Sequence, residues 1–287
     1  MDRRTFNSGL GLLLATGWQA AQAQKIEDDD LWQQIEAGAG GRLGVAVLDT
    51  ATGAVAGHRL DERFPMCSTF KWLAAALVLQ RVDAGQERLD RRIRFGREVL
   101  ISHSPVTERH AGGDGMTLGA LCEATITTSD NAAANLILET FGGPAAVTRY
   151  ARSLGDTVTR LDRTEPSLNE ARPGDPRDTT SPRAMSGSLR AAVLGESLSA
   201  AGRGQLAQWL EATSTNGQRL RADLPAGWRM GSKTGTGARG TTNDVGVFWP
   251  PGRPPVVVAV YLTETRAPEA QRNAAVARVA RRITHGA

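Results

Sequence analysis

The chain has 287 residues, of which 40% are hydrophobic and 22% charged, with 32 glycines and 13 prolines. This is an ordinary globular composition, and the length suffices for one large domain or two smaller ones with a buried core. The net charge of +4 comes from 34 basic residues spread among 30 acids along the whole chain, so we do not expect a nucleic-acid partner, which would need a concentrated basic patch.

The first 23 residues predict an export signal that is removed by cleavage. They contain the pair Arg3-Arg4, a short apolar run at Leu10–Ala15, and small residues at Ala21 and Ala23, the two positions that signal peptidases recognise. The arginine pair and the glycine-containing apolar segment resemble a twin-arginine signal, and the apolar run is too short to span a bilayer. We expect cleavage near Ala23 and a periplasmic monomer that does not associate with the membrane after cleavage.

After the signal, hydrophobic periodicity predicts strands at both ends of the chain and helices between them. A helical pattern at Ile26–Glu36 precedes two strand-like runs that meet at Thr52-Gly53, which predicts a hairpin. Helical patterns then occupy most of 64–210, and a last helix runs from about Pro268 to Ile283. The strand-like runs between them are Trp228–Gly235, Asn243–Pro250 and Val256–Glu264.

This order of elements predicts an α/β (α+β) fold. One antiparallel sheet is built from both ends of the chain and flanked by N- and C-terminal helices, and an all-helical domain is inserted in the middle. We expect polar motifs to converge where the two domains meet, since clefts lie at such junctions. The predicted domains are the export signal at 1–23, a discontinuous α/β domain formed by 24–63 and 212–287, and an all-α domain at 64–211.

The first motif pairs Ser68 with Lys71, one of only three lysines beside 31 arginines. The two residues lie within one turn at the start of a predicted helix, whose positive end favours negative charge developing near Ser68. A serine hydroxyl needs a neighbour that takes its proton, and a lysine can give up its charge whereas an arginine cannot. The spacing is common in helices, so taken alone it also fits a simple helix cap at Ser68.

The second motif, Ser129-Asp130-Asn131, falls between two helical patterns. Its hydroxyl could relay a proton, and its carboxamide could hold a substrate amide. Because all three residue types favour helix starts, a purely structural cap is the alternative.

The third motif is Lys233-Thr234-Gly235-Thr236, in a run with strand character. Glycine allows a close approach of another backbone, and the ammonium and hydroxyl groups suit the binding of a carboxylate. A glycine-rich strand end is the alternative interpretation.

In this order, and separated by about 60 and 100 residues, the three motifs resemble those of the class A serine β-lactamases, over nearly the whole mature chain. The segment 165–169 reads EPSLN and matches the E-x-x-L-N pattern of that family, in which Glu165 and Asn169 hold the deacylating water. The resemblance also implies a loop with a cis bond before Pro166 and an ion pair between Arg163 and Asp178 that closes it.

The resemblance implies acyl transfer in two stages. Ser68 attacks the lactam carbonyl while backbone N–H groups of Ser68 and Thr236 stabilise the oxyanion, Ser129 passes a proton to the lactam nitrogen, and Glu165 then activates water. Whether Lys71 or Glu165 takes the Ser68 proton stays open. No cofactor or metal is implied, and the four histidines lack zinc-ligand spacing. The implied catalytic residues are Ser68, Lys71, Ser129, Glu165, Asn169 and Lys233, and the implied substrate-binding residues are Asn131, Thr234, Gly235, Thr236, Arg219 and His103.

Three positions depart from the family pattern. Ser232 stands where an acid commonly supports Lys233. His103 replaces an aromatic residue at the cleft entrance, where it either stacks on substrate or faces solvent. Some members hold the substrate carboxylate with an arginine at the place of Thr242, and Arg219 occupies the alternative position used by others, unless it is one more surface arginine.

The two cysteines, Cys67 and Cys122, would meet an oxidising compartment after export. The family bridges that involve these positions have their second cysteine at places taken here by Gly237 and Ala75. A bridge between Cys67 and Cys122 is the alternative that the sequence leaves open, but we favour two free, buried thiols.

Two other activities share part of this pattern. A penicillin-binding D,D-peptidase would be acylated and deacylate slowly, and the match at 165–169 argues against it. A non-catalytic β-lactam sensor is generally tethered to a membrane, and no segment of the chain predicts a membrane span. The choice among penicillin, cephalosporin and carbapenem substrates stays open.

Overall fold

The computed structural model describes residues 29–285, so the predicted export signal lies outside the described residues. Eight helices and nine strands occur in that range. The helices are α1 (29–39), α2 (Lys71–Asp83), α3 (Leu118–Thr127), α4 (Asn131–Glu139), α5 (Pro144–Ser153), α6 (Pro182–Val193), α7 (Ala200–Glu211) and α8 (Glu269–His285). The strands are β1 (Arg42–Asp49), β2 (Val55–His58), β3 (Phe64–Pro65), β4 (Arg92–Ile93), β5 (Met116–Thr117), β6 (Thr179–Thr180), β7 (Arg229–Thr236), β8 (Thr242–Trp249) and β9 (Val256–Thr263).

Five strands form one antiparallel sheet in the order β2-β1-β9-β8-β7, which confirms the predicted fold class. Successive side chains of β9 point to opposite faces, and both faces are covered. Val258 and Val260 pack into one apolar cluster with residues of α1 and α8, whereas Val257 and Ala259 join the larger cluster formed with the central helices. This explains why β9 is apolar throughout instead of alternating with polar residues.

Helix α2 lies at the centre of the helical region, and every residue from Lys71 to Leu79 is buried. It contacts α3, α4, α5 and α7, and α7 in turn contacts β7. A helix that is apolar on all sides belongs in the interior. The burial of α2 holds the residues at its N-terminal end in a fixed position relative to the sheet.

The region predicted as all-α also contains four two-residue strands. Phe64 and Pro65 of β3 pair with Thr180 and Thr179 of β6, and β4 pairs with β5. Strands this short show no period-2 alternation, so the sequence pattern cannot reveal them. The pairing of β3 with β6 joins the segment before Ser68 to the end of the loop that carries Glu165.

Candidate active site

Ser68 lies in a short 3₁₀ segment, Cys67–Phe70, that leads directly into α2. The segment packs against β7. Gly235 makes this approach possible, since a Cβ at that position would lie 2.7 Å from the carbonyl oxygen of Met66. Ser68 is 7% exposed and opens onto a cleft between β7 and the helical region.

Lys71 is fully buried and makes polar contacts to three residues. Its Nζ donates to the carbonyl oxygen of Ser129 at 2.8 Å and to Oδ1 of Asn131 at 2.6 Å, and lies 3.0 Å from Oε1 of Glu165. Burial lowers the pKa of Lys71 below its ordinary value, because the ammonium form loses its hydration, and the negative charge of Glu165 opposes this shift.

Glu165 contacts both Ser68 and Lys71. Oγ of Ser68 donates to Oε1 of Glu165 at 3.1 Å, and Nδ2 of Asn169 donates to Oε2. The Glu165–Pro166 peptide bond is cis, as expected. Asn135 fixes the backbone here: it accepts from the N–H of Glu165 at 3.0 Å and donates to its carbonyl oxygen at 2.9 Å.

Sequence reasoning missed Asn135. It follows Asn131 by one turn of α4, and this i, i+4 spacing places both carboxamides on the same helix face. The spacing was the available signal, although it does not show that the loop at Glu165 packs on that face.

Ser129 stands between two lysines. Its Oγ accepts from Nζ of Lys71 at 3.3 Å and from Nζ of Lys233 at 3.0 Å. Burial, helped by the nearby charge of Lys71, lowers the pKa of Lys233 well below its ordinary value. The middle residue of the motif, Asp130, caps α4 by accepting from the N–H of Ala133. The alternative interpretation of the motif as a helix cap is therefore correct for this one position.

Ser232, the residue that replaces an acid, is held by Asn216 and Thr213. Its Oγ accepts from Nδ2 of Asn216 at 2.9 Å, and its carbonyl oxygen accepts from Oγ1 of Thr213. Asp244 on the neighbouring strand β8 interacts with the Ser232 side chain, is fully buried and accepts from the N–H of Leu220. Burial raises the pKa of this carboxyl group.

Arg219 is 6% exposed, so the surface interpretation of this residue is wrong. Its guanidinium group donates to the carbonyl oxygens of Gly235 and Asn243, to Oδ1 of Asn273 at 2.9 Å and to Oγ1 of Thr236 at 2.8 Å. All four acceptors are neutral. The charge of Arg219 therefore lies beside the cleft without a directly bonded carboxylate among residues 29–285.

The cleft has a volume of about 510 Å³ and brings together residues from all three motifs. His103 lies at its rim, exposed, with Nε2 2.9 Å from the carbonyl oxygen of Thr128. It thus borders the cleft and faces solvent at the same time. The predicted residues that line the cleft are Ser68, His103, Ser129, Asn131, Asn169, Arg219, Thr234 and Thr236.

The loop ion pair and the cysteines are as expected. Nε of Arg163 lies 2.6 Å from Oδ2 of Asp178. Cys67 and Cys122 are both free and buried.

Between residues 29 and 285, no cluster of three or more histidine, cysteine or acidic side chains has the arrangement of a metal site. No helix in that range is long and apolar enough to cross a membrane.

Comparison with known proteins gives consistent matches over nearly the whole chain. A family model described as the β-lactamase enzyme family matches residues 29–286. The chain is 46% identical over 279 residues to β-lactamase OXY-2 of Klebsiella oxytoca, covering 96% of this chain and 94% of that protein. It is 42% identical over 282 residues to β-lactamase Toho-1 of Escherichia coli, covering 98% and 96%.

Solved structures give the same result. An ancestral (GNCA) class A β-lactamase superposes with a TM-score of 0.87 at 62% identity, covering 90% of this chain and 100% of that one. The putative class A β-lactamase PenP from Rhodopseudomonas palustris superposes with a TM-score of 0.88 at 58% identity, covering 90% and 98%. The likeness therefore concerns the fold as a whole and not a fragment.

Proposed function

Since this chain belongs to the class A β-lactamase family, and so hydrolyses the β-lactam amide, we propose that Ser68 is the nucleophile of its cleft and forms the acyl intermediate with penicillins and cephalosporins. The observation that carries this proposal is the contact of Glu165 with both Ser68 and Lys71, through one carboxylate oxygen. A hydroxyl group in such a contact has a proton acceptor ready for nucleophilic attack.

Two groups near Ser68 could accept its proton during acylation. Glu165 accepts from Ser68 directly, and Lys71 follows Ser68 by one turn and contacts the same carboxylate oxygen. Without the carboxylate, the pKa of Lys71 would fall further, because the opposing charge would be gone. Of the two, we assign the proton transfer of acylation to Lys71, because burial favours its neutral, proton-accepting form, and we reserve Glu165 for deacylation. The oxyanion is assigned to the backbone N–H groups of Ser68 and Thr236, two residues that line the cleft.

Ser129 is assigned the transfer of a proton to the lactam nitrogen. Its hydroxyl accepts from both Lys71 and Lys233, so its own proton is directed away from the two ammonium groups. Lys233 holds this hydroxyl and adds positive charge behind the substrate carboxylate.

The substrate carboxylate is assigned to the wall formed by Thr234, Thr236 and Arg219, with Gly235 shaping it. Arg219 donates to Thr236 and to three other neutral acceptors. A carboxylate bound there would give this buried guanidinium group a directly bonded counter-charge, which its four neutral acceptors do not supply. Asn131 is assigned to the side-chain amide of the substrate, and His103 to the cleft entrance.

Deacylation is assigned to Glu165 and Asn169. Nδ2 of Asn169 donates to Glu165, while its buried Oδ1 has no hydrogen-bond partner among the described protein atoms. A water molecule between the two side chains would satisfy this acceptor and lie next to the general base.

We further propose a periplasmic monomer that needs no cofactor, built from the α/β domain at 24–63 and 212–287 and the helical domain at 64–211. The position of the cleft between β7 and the helical region supports this division.

The test is steady-state hydrolysis of a penicillin, a cephalosporin and a carbapenem by the protein and its Ser68→Ala variant. We expect turnover of the first two substrates by the wild type and a loss of at least about 10³-fold in the variant. Ser153→Ala, at the exposed end of α5, is the matched control and should retain full activity. Turnover that survives Ser68→Ala would contradict the proposal.

A further inference from the structure

Two charged side chains, histidine aside, line the cleft among the described residues: Arg219 and Glu269. The proposed function uses the arginine and leaves the glutamate without a role. Glu269 lies in the first turn of α8 and is exposed. No ion pair or hydrogen bond to its carboxylate occurs within residues 29–285, so its charge is available to a ligand.

A glutamate in the first turn of a helix stabilises the helix dipole, which is the simplest account of this residue. That account does not explain its position in the cleft. Asn273 follows Glu269 by four residues, so both side chains lie on one face of α8, and Asn273 accepts from Nε of Arg219 at 2.9 Å. The carboxylate is thus placed one turn from a residue that contacts Arg219, and its charge favours the charged form of that arginine.

The position of Glu269 matters for cephalosporins because of the substituent that they carry at ring carbon C3. In a cephalosporin, the ring carbon that bears the carboxylate is bonded to the ring carbon C3, which carries a variable substituent. If Arg219, Thr234 and Thr236 bind the carboxylate, the C3 substituent on the neighbouring ring carbon lies in the same cleft that Glu269 lines. In a penicillin the corresponding ring carbon carries two methyl groups and no charge.

We propose that Glu269 is a specificity determinant, which favours cephalosporins with a permanently cationic C3 substituent over those with a neutral one. This inference rests on the proposed function, because it needs the carboxylate to bind at Arg219. An exposed carboxylate acts through solvent, so the preference is modest and weakens as the salt concentration rises.

The experiment compares two cephalosporins with the same thienylacetyl side chain at C7 and either a pyridiniummethyl or an acetoxymethyl group at C3. The quantity measured is the ratio of kcat/KM for the cationic substrate to that for the neutral one. We expect this ratio to fall about two- to fivefold in Glu269→Gln, mainly through KM, and further in Glu269→Lys. Glu139→Gln, an exposed acid at the end of α4, is the control and should leave the ratio unchanged.

The ratio removes effects common to both substrates, such as relief of repulsion between Glu269 and the shared carboxylate. The difference between wild type and Glu269→Gln should shrink between about 0.05 M and 0.5 M salt. An unchanged ratio in both Glu269 variants overturns the inference and leaves the proposed function standing. If the wild type hydrolyses neither cephalosporin and no penicillin, the proposed function fails, and the inference fails with it.

Discussion

Two buried lysines, Lys71 and Lys233, donate to the same hydroxyl group, that of Ser129. Each lacks hydration, and burial is the main reason that the pKa of each is lowered. An arginine could supply charge at these positions but could not release a proton at any accessible pH. The chain has 31 arginines, so these two lysines mark positions where the ability to change protonation state matters.

Lys71→Arg tests this requirement. The guanidinium group stays protonated, so we expect acylation to slow by at least about 10²-fold, the lower range for loss of a general base. Single-turnover kinetics with a chromogenic cephalosporin measure the acylation rate. Lys25→Arg is the control, and circular dichroism should show that both variants fold. Acylation of Lys71→Arg at the wild-type rate would contradict the assignment of Lys71.

The pH dependence follows from the direction of the Lys71 shift. In the proposed assignment the neutral amine of Lys71 is the acceptor, so the acylation rate should rise with pH through the lowered pKa of Lys71 and level off above it. In Glu165→Gln the rise should move to lower pH, because the carboxylate no longer stabilises the ammonium form. A rise that moves to higher pH in Glu165→Gln would contradict the effect of the Glu165 charge on the pKa of Lys71.

The free energy of unfolding also depends on the protonation of Lys71. Between the lowered pKa and the ordinary value of 10.5, the folded state binds fewer protons at Lys71 than the unfolded state does. The contribution of Lys71 to the free energy of unfolding therefore rises with pH across this window.

At the level of single residues, the sequence predicted most of the side chains that line the cleft. Eight of the predicted residues line the cleft. Most were predicted because their types and order form motifs, whereas Arg219 and His103 came from the family resemblance. Asn135 and Glu269 were not found, because one acts through hydrogen bonds to a loop 30 residues away in sequence and the other comes from a distant helix. Such contacts depend on packing between elements, which local patterns do not encode.

The loop that carries Glu165 and Asn169 is held at both ends. Asp178 accepts from Nε of Arg163 at 2.6 Å and from the N–H groups of Asp162 and Arg163. In the middle, the carbonyl oxygen of Asn169 accepts from the N–H of Ala238 at 2.9 Å, which fixes the loop beside β7.

Asp178→Asn should loosen this loop. Asp178 is buried, so loss of its charge leaves Arg163 without its strongest partner, and we expect the free energy of unfolding to fall by about 2 kcal/mol. Deacylation should slow more than acylation, because Glu165 lies on the loop and Ser68 does not. Urea unfolding and pre-steady-state kinetics measure the two effects.

Asp175→Asn provides the matched control within the same loop. Asp175 pairs with Arg177 at the surface, where such pairs contribute little. Equal losses of stability in the two variants would show that the Arg163–Asp178 pair has no special role.

On the scale of the whole molecule, the sheet joins the two ends of the chain. Strands β1 and β9 pair along their full length, and apolar clusters cover both faces of the sheet. The fold class was predictable because β1, β7, β8 and β9 are each eight residues long, and β1 and β9 are rich in apolar residues. The two-residue strands β3, β4, β5 and β6 were not predictable, because their pairing depends on loops that meet only in the folded chain.

This framework holds together without a disulfide. Cys67 and Cys122 are free and buried, and burial raises the pKa of both thiols. We expect a thiol reagent to label neither residue in the native protein and both after unfolding. Reductant should leave the unfolding midpoint unchanged, whereas loss of a bridge would lower stability by about 2–4 kcal/mol.

In the proposed mechanism Ser68 carries the acyl group and Glu165 is needed to remove it. The most direct experiment is mass spectrometry of Glu165→Ala after mixing with a penicillin, with Asp175→Ala, an acid of the same loop that pairs with Arg177 at the surface, as the control. We expect a persistent adduct on the peptide that contains Ser68 in Glu165→Ala, and none that persists in the control. No adduct, or an adduct on another residue, would contradict it.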